Sequence, residues 1–144
     1  MKIFLGGTCN LGGTCNGSKW RDHIIPQLPC EYFNPVVEDW TPECQAEEIR
    51  QRDECDYVLY VITPASVGCY GVAEAIEDAA KRPEKVLFMC IAVDPFVSGG
   101  SCVGTEKQFQ SMQAVKRLVL RCGAHVFDCF DDIVGFLTKN MQTK

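Results

Sequence analysis

Glu74 follows the segment DYVLYVITPASVGCYGVA, residues 56–73, and the residues around it define what its carboxylate can do. The apolar run 57–62 reads as a strand buried on both faces, the kind that parallel sheets require. Thr63-Pro64 stops the run, a short loop carries Gly68 and Gly71, and a helix follows with Glu74 in its first turn. In open parallel sheets, ligands bind at loops leaving the carboxyl ends of strands. A carboxylate delivered there is a candidate nucleophile or general base. The competing reading is a solvated helix face. Val72, Ala73, Ile76, Ala79 and Ala80 then make the buried side, and Glu74, Glu77, Asp78 and Lys81 the polar one. A first-turn glutamate there complements the helix dipole by about 0.3–1 kcal/mol.

Other polar residues can join Glu74. Glu48 precedes Asp56 by eight residues on the helix entering that strand, where an i,i+4 pair with Arg52 is its ordinary role. Asp56 opens the strand. Asn34-Pro35 leaves an earlier strand and can turn an amide towards the same crevice, although Asn-Pro is first a turn signal. Trp20 and Arg21 can stack on or grip a ligand, and Trp20 equally suits packing of a helix on the sheet. The sequence LGGTCN occurs twice in tandem, at 5–10 and 11–16. A duplication can simply lengthen a surface loop, because closure entropy grows slowly with length. Alternatively one copy completes the strand end while the other shapes a ligand-binding loop. The glycine- and serine-rich stretch 94–104 reads as a lid or a mobile connection. His23 and His125 are isolated. No Walker loop, dinucleotide fingerprint, metal-ligand spacing or cofactor signature is present.

These residues need a scaffold, and the patterning supplies one. Strand-like segments at 2–7, 30–34, 57–62, 85–93 and 124–127 alternate with helix-like segments. Ser18 is placed to cap a helix through about residue 28, which Pro26 weakens or ends. Thr41-Pro42 starts a second helix. Thr105-Glu106-Lys107-Gln108 is a capping box, and Gly123 closes the helix it opens. Phe130, Ile133, Val134 and Leu137 mark a final amphipathic helix. The expectation is an α/β doubly wound sheet of five parallel strands, order 2-1-3-4-5, with helices on both faces. In that order the switch point lies between strands one and three. The GGTCN loop and Glu74 therefore face one crevice.

Composition narrows the function classes. The 144 residues suit one domain, 1–144, able to bury roughly two thirds of its unfolded surface. Hydrophobic residues are 47%, charged residues 23% and the net charge is −5. With no basic cluster, nucleic acid and anionic membranes are poor partners, and no apolar stretch reaches spanning length. The ten cysteines lack CxxC spacing, and several sit in apolar runs as small hydrophobes. A reduced, cytoplasmic protein is expected. Tyr57, Tyr60 and Tyr70 are candidates for an oligomer interface.

Taken together, KIFLGGTCN with WRD, YFNPVVEDW, EEIRQRDECDYVLYVITP and GCYGVAEAIEDA resemble the nucleoside 2-deoxyribosyltransferase family, in its short transferase-like branch. The likeness runs to about residue 93. It implies a flavodoxin-like sheet, a small-molecule nucleoside or nucleotide substrate, no cofactor, and a homo-oligomer with sites completed by a neighbour. It implies cleavage of the N-glycosidic bond of a 2-deoxynucleoside or its 5′-monophosphate, with the sugar captured on Glu74 and passed to another base. Glu48 falls on the family's acidic partner position, usually Asp. The GGTCN loop replaces an aromatic residue often found beyond the first strand. Gly6, Gly7, Thr8, Asn10, Asn16, Ser18, Trp20, Asn34, Asp56 and Gly71 are the expected substrate-binding residues. A nucleoside-monophosphate N-glycosidase and a nucleotide-binding module without turnover remain alternatives.

Overall fold

The computed structural model describes residues 1–8 and 18–142. Its strands are β1 (Lys2–Gly7), β2 (Glu31–Phe33), β3 (Tyr57–Ile62), β4 (Val86–Cys90), β5 (Val93–Asp94), β6 (Cys102–Val103) and β7 (His125–Phe127). Its helices are α1 (Trp20–Ile24), α2 (Pro42–Glu54), α3 (Tyr70–Lys81), α4 (Glu106–Arg121) and α5 (Phe130–Met141). Five strands form one parallel sheet in the order β2-β1-β3-β4-β7. Leaving aside the small β5–β6 hairpin, this is the expected doubly wound order.

Alternation along each strand divides the core between the two faces. Phe4, Val58, Tyr60, Val86 and Phe88 pack with Ala75, Ala79 and Val119 of α3 and α4. Ile3, Leu5, Leu59, Val61, Leu87 and Met89 pack with Trp20 and Ile24 of α1 and with Phe130, Ile133 and Leu137 of α5. Burying both faces explains why β3 and β4 read as unbroken apolar runs.

Local signals account for most helix ends. The Thr41 side chain accepts from Cys44 N at 3.3 Å, with Pro42 in the first helical position. Thr105 and Gln108 complete the capping box of α4, and Gly123 takes φ +96° beyond its end. Helix α1 is shorter than expected. Lys19, not Ser18, holds the N-cap, and the segment containing Pro26 tightens into a 3-10 turn, Ile25–Gln27.

The fourth strand is also shorter. It stops at Cys90, opposite Ile62, because β3 gives way to Thr63-Pro64. Val93–Asp94 turns away to pair antiparallel with Cys102–Val103. The 94–104 stretch is therefore anchored and not a lid. Lys19 N donates to Phe96 O at 3.0 Å, Ser18 bridges Val97, and the Phe96 ring sits 4.8 Å from His23 and 5.8 Å from Phe130.

Two glycines set how close α3 comes to the sheet. Gly7 ends β1 at φ +100°, and a Cβ there would lie 2.2 Å from the Val61 carbonyl oxygen. A Cβ on Gly71 would lie 3.2 Å from the Gly7 Cα. The first turn of α3 therefore rests directly on the end of β1. Gly7→Ala combines backbone strain with a backbone clash and is expected to remove at least about 2 kcal/mol of stability. Gly99→Ala, at φ +85° with open space around it, should lose only about 1 kcal/mol. Urea unfolding midpoints of the two variants check the difference.

Candidate active site

The carboxyl end of β1, the loops after β2 and β3 and the N-terminal turns of α2 and α3 surround a cavity of about 400 Å³. Gly6, Gly7, Thr8, Glu48, Gly71 and Glu74 all line it. The crevice expected at the switch point thus brings the strand-end glycines and both carboxylates together. Glu74 is the fifth residue of α3, one turn deeper than the first-turn position expected of it. It is also not on a solvated face. Its side chain is 11% exposed.

Of the polar side assigned to α3, Glu77 and Lys81 are exposed as expected, but the rest needs correction. Asp78 is fully buried, whereas Ala73 and Ala80 are exposed. Asp78 takes the Tyr60 hydroxyl at 2.5 Å, Arg52 Nε at 3.0 Å and Arg82 at 2.6 Å. Four donors, counting both nitrogens of Arg82, satisfy a carboxylate that burial would otherwise make costly. Tyr60 is likewise fully buried and not available to an interface. Gly6 makes room for it: a Cβ there would stand 2.7 Å from the Tyr60 ring.

Arg52 carries this network to the cavity. Its guanidinium donates to Glu74 Oε1 at 3.1 Å and to Glu77 at 3.0 Å. Arg52 therefore pairs with α3 and not with Glu48. Glu48 instead accepts from the Trp40 indole N–H at 3.1 Å. Burial pushes the Glu74 carboxyl up to about 7. Arg52 opposes that rise, and the charges of Glu48, Asp78 and Glu77 add to it. Glu48 is also raised, again by burial first, against the Trp40 hydrogen bond and the Arg21 and Arg52 charges. Both carboxyls are thus shifted towards their neutral forms.

Thr8 is built into the wall of the cavity. Its N–H reaches Val61 O, its hydroxyl accepts from Thr63 N, and its carbonyl accepts from Trp20 Nε1 and Arg21. Trp20 itself is fully buried and stacks on Phe130 at 6.4 Å, so it packs the core and does not face the cavity. Ser18 is buried against Val97 and lies outside the lining. Asn34 folds its side chain onto Val36 N at 3.2 Å, and it is Pro35 to Glu38 that reach the cavity. Asp56 lies at the opposite, amino end of β3, where it accepts from Lys2 N at 2.8 Å. The structure does not bring it to the site. Asn10 and Asn16 lie outside the described residues.

Several lining residues escaped the sequence reading: Val36, Val37, Trp40, Gln45 and Val67. The signal for the first three was available, since VVEDW follows the carboxyl end of β2, where a parallel sheet places its ligands. Among the described residues, no group of three or more His, Cys, Asp or Glu could hold a metal, and the eight described cysteines are free. No described helix is long and apolar enough to cross a membrane.

No curated protein matches the chain. The family model described as nucleoside 2-deoxyribosyltransferase like matches residues 1–92, which include every described residue lining the cavity. With well over half of its length matched in this way, the chain belongs to the nucleoside 2-deoxyribosyltransferase-like family.

Proposed function

We propose that this protein cleaves the N-glycosidic bond of a 2-deoxynucleoside or its 5′-monophosphate and transfers the deoxyribosyl group to another base. The observation that carries this reading is a buried carboxylate, Glu74, held by Arg52 across the cavity from the strand-end glycines. A Glu74 oxygen attacks the anomeric carbon as the bond to the base breaks, through an oxocarbenium-like transition state. The electron pair of that bond leaves with the base, and Glu48 protonates the departing nitrogen. A second base then attacks the anomeric carbon of the glycosyl-enzyme, Glu74 leaves, and Glu48 recovers the proton. The productive free enzyme has one proton on the pair, on Glu48, with the charge on Glu74.

The walls suit such a substrate. Trp40 and Tyr70 offer aromatic faces to a base. The backbone of Gly6, Gly7 and Gly71 lies where a sugar would sit beside Glu74. The expected 5′-hydroxyl or phosphate contacts fall largely on residues 9–17, outside the described residues.

The rim favours a second reading, hydrolysis. Trp40, Val67 and Tyr70 are 55%, 85% and 53% exposed, which leaves water a path to the covalent intermediate. A second copy of the chain seated on this apolar rim would exclude that water, in keeping with a homo-oligomer. Free sugar or sugar phosphate as the main product in the presence of acceptor base selects hydrolysis, and exchanged nucleoside selects transfer.

Glu74→Gln is expected to abolish base release while leaving the unfolding transition in place. Near-normal release by this variant in a deoxynucleoside and monophosphate panel would end the assignment. Activity needs Glu74 ionised and Glu48 protonated, so kcat/KM follows a bell-shaped pH profile that falls about tenfold per pH unit on its alkaline side, where Glu48 loses its proton. Glu48→Gln should abolish that alkaline limb and spare substrates whose base departs unprotonated. An unchanged limb in this variant would exclude Glu48 as the acid.

A further inference from the structure

Glu48 and Glu74 line the same cavity, and a proton shared between them can sit on either. Only one arrangement leaves a nucleophile on α3. We propose that Arg52 is the positioning residue that shifts the balance towards it, by favouring the negative charge on Glu74. This rests on the reading of Glu74 as nucleophile and adds a residue that touches neither sugar nor base.

The geometry is asymmetric in the required sense. Glu74 Oε1 receives a charged guanidinium N–H at 3.1 Å, whereas Glu48 receives the neutral indole N–H of Trp40 at 3.1 Å. The adjacent guanidinium charge favours the ionised carboxylate, which a neutral donor does only through its hydrogen bond. Arg52 cannot drift from this task. Its side chain is 5% exposed, and Asp78 and Glu77 hold its remaining donors at 2.9–3.0 Å. Asp78 is in turn clamped by Tyr60 and Arg82. Glu74 Oε2 has no hydrogen bond among the described residues, so one oxygen is anchored and the other is left for the cavity.

The surrounding charges explain why one cation must do this. On α2, Glu48 and Arg52 face Glu74, and on α3 its neighbours are Glu77 and Asp78, with Lys81 bound to Glu77. Tyr60 approaches from β3, Arg82 acts through Asp78, and Glu38 and Arg21 lie across the cavity. Arg21 is occupied by the Leu5 and Thr8 carbonyls at 3.0 and 2.7 Å. Residues 9–17 contribute no ionisable side chain except the thiols of Cys9 and Cys15. Glu77 competes with Glu74 for the same guanidinium, which gives the proposal a test of opposite sign at a half-exposed position.

Carboxyl-labelled glutamate allows Glu74 to be titrated by NMR, its signal assigned by loss in Glu74→Gln. Arg52→Gln should move the titration up by roughly one to two pH units, as loss of an adjacent opposite charge does. Arg52→Lys, which keeps the charge, should stay near the parent. Glu77→Gln should move it down by a fraction of a unit and raise plateau kcat/KM, since more of the singly protonated pair is then productive. Should Arg52→Gln fail to fold, Glu77→Gln alone decides, and an unmoved Glu74 titration there overturns the proposal. So does a folded Arg52→Gln that titrates like the parent. If the titrations move as stated while even the parent protein releases no base, the charge assignment stands and the enzymatic reading falls.

Discussion

The interaction on which the site depends is the buried carboxylate of Asp78. A charge with no solvent contact survives only if its lone pairs are filled, and here they draw in Tyr60 from β3, Arg52 from α2 and Arg82 from just beyond α3. Three elements are thereby pinned at one point. Arg52, fixed by Asp78 and Glu77, turns its remaining nitrogen to the cavity side, where Glu74 stands one helical turn before Asp78 on α3. Replacing such a network with apolar residues of similar size can preserve or raise stability. Its presence is therefore better explained by what it does to Glu74 than by what it adds to the fold.

A second constraint acts from the other side. The backbone contact between Gly7 and Gly71 draws the start of α3 against the end of β1. Together the two constraints fix α3 at two points about two turns apart: backbone contact at Gly71 and charge clamp at Asp78, with Glu74 between them. Both determine where the carboxylate points and how readily it ionises.

The sheet was legible because both faces are buried. Runs such as 57–62 and 86–90 carry no alternation, and the intervening helices announce themselves through Thr41-Pro42 and the Thr105 capping box. The β5–β6 hairpin was not, since two-residue strands have no period to read. Asp78 was assigned to solvent because helix patterning counts every charge as outward, and two of its three partners are 18 and 26 residues away in sequence. Asp56 is a different case. Strand direction alone puts it at the amino end of β3, away from the ligand crevice, so the rule that found Glu74 could also have excluded Asp56.

The division between fold and site also runs along the chain. Phe130, Ile133 and Leu137 of α5 close one face of the sheet, and Val119 of α4 helps close the other, yet none of these residues lines the cavity. The cavity is drawn from residues 4–74. Among the described residues, the C-terminal third meets the cavity only through the sheet it packs against. Its sequence is constrained by volume and polarity, whereas the first 92 residues must also place named functional groups. The family match covers residues 1–92, while the same sheet continues through β7.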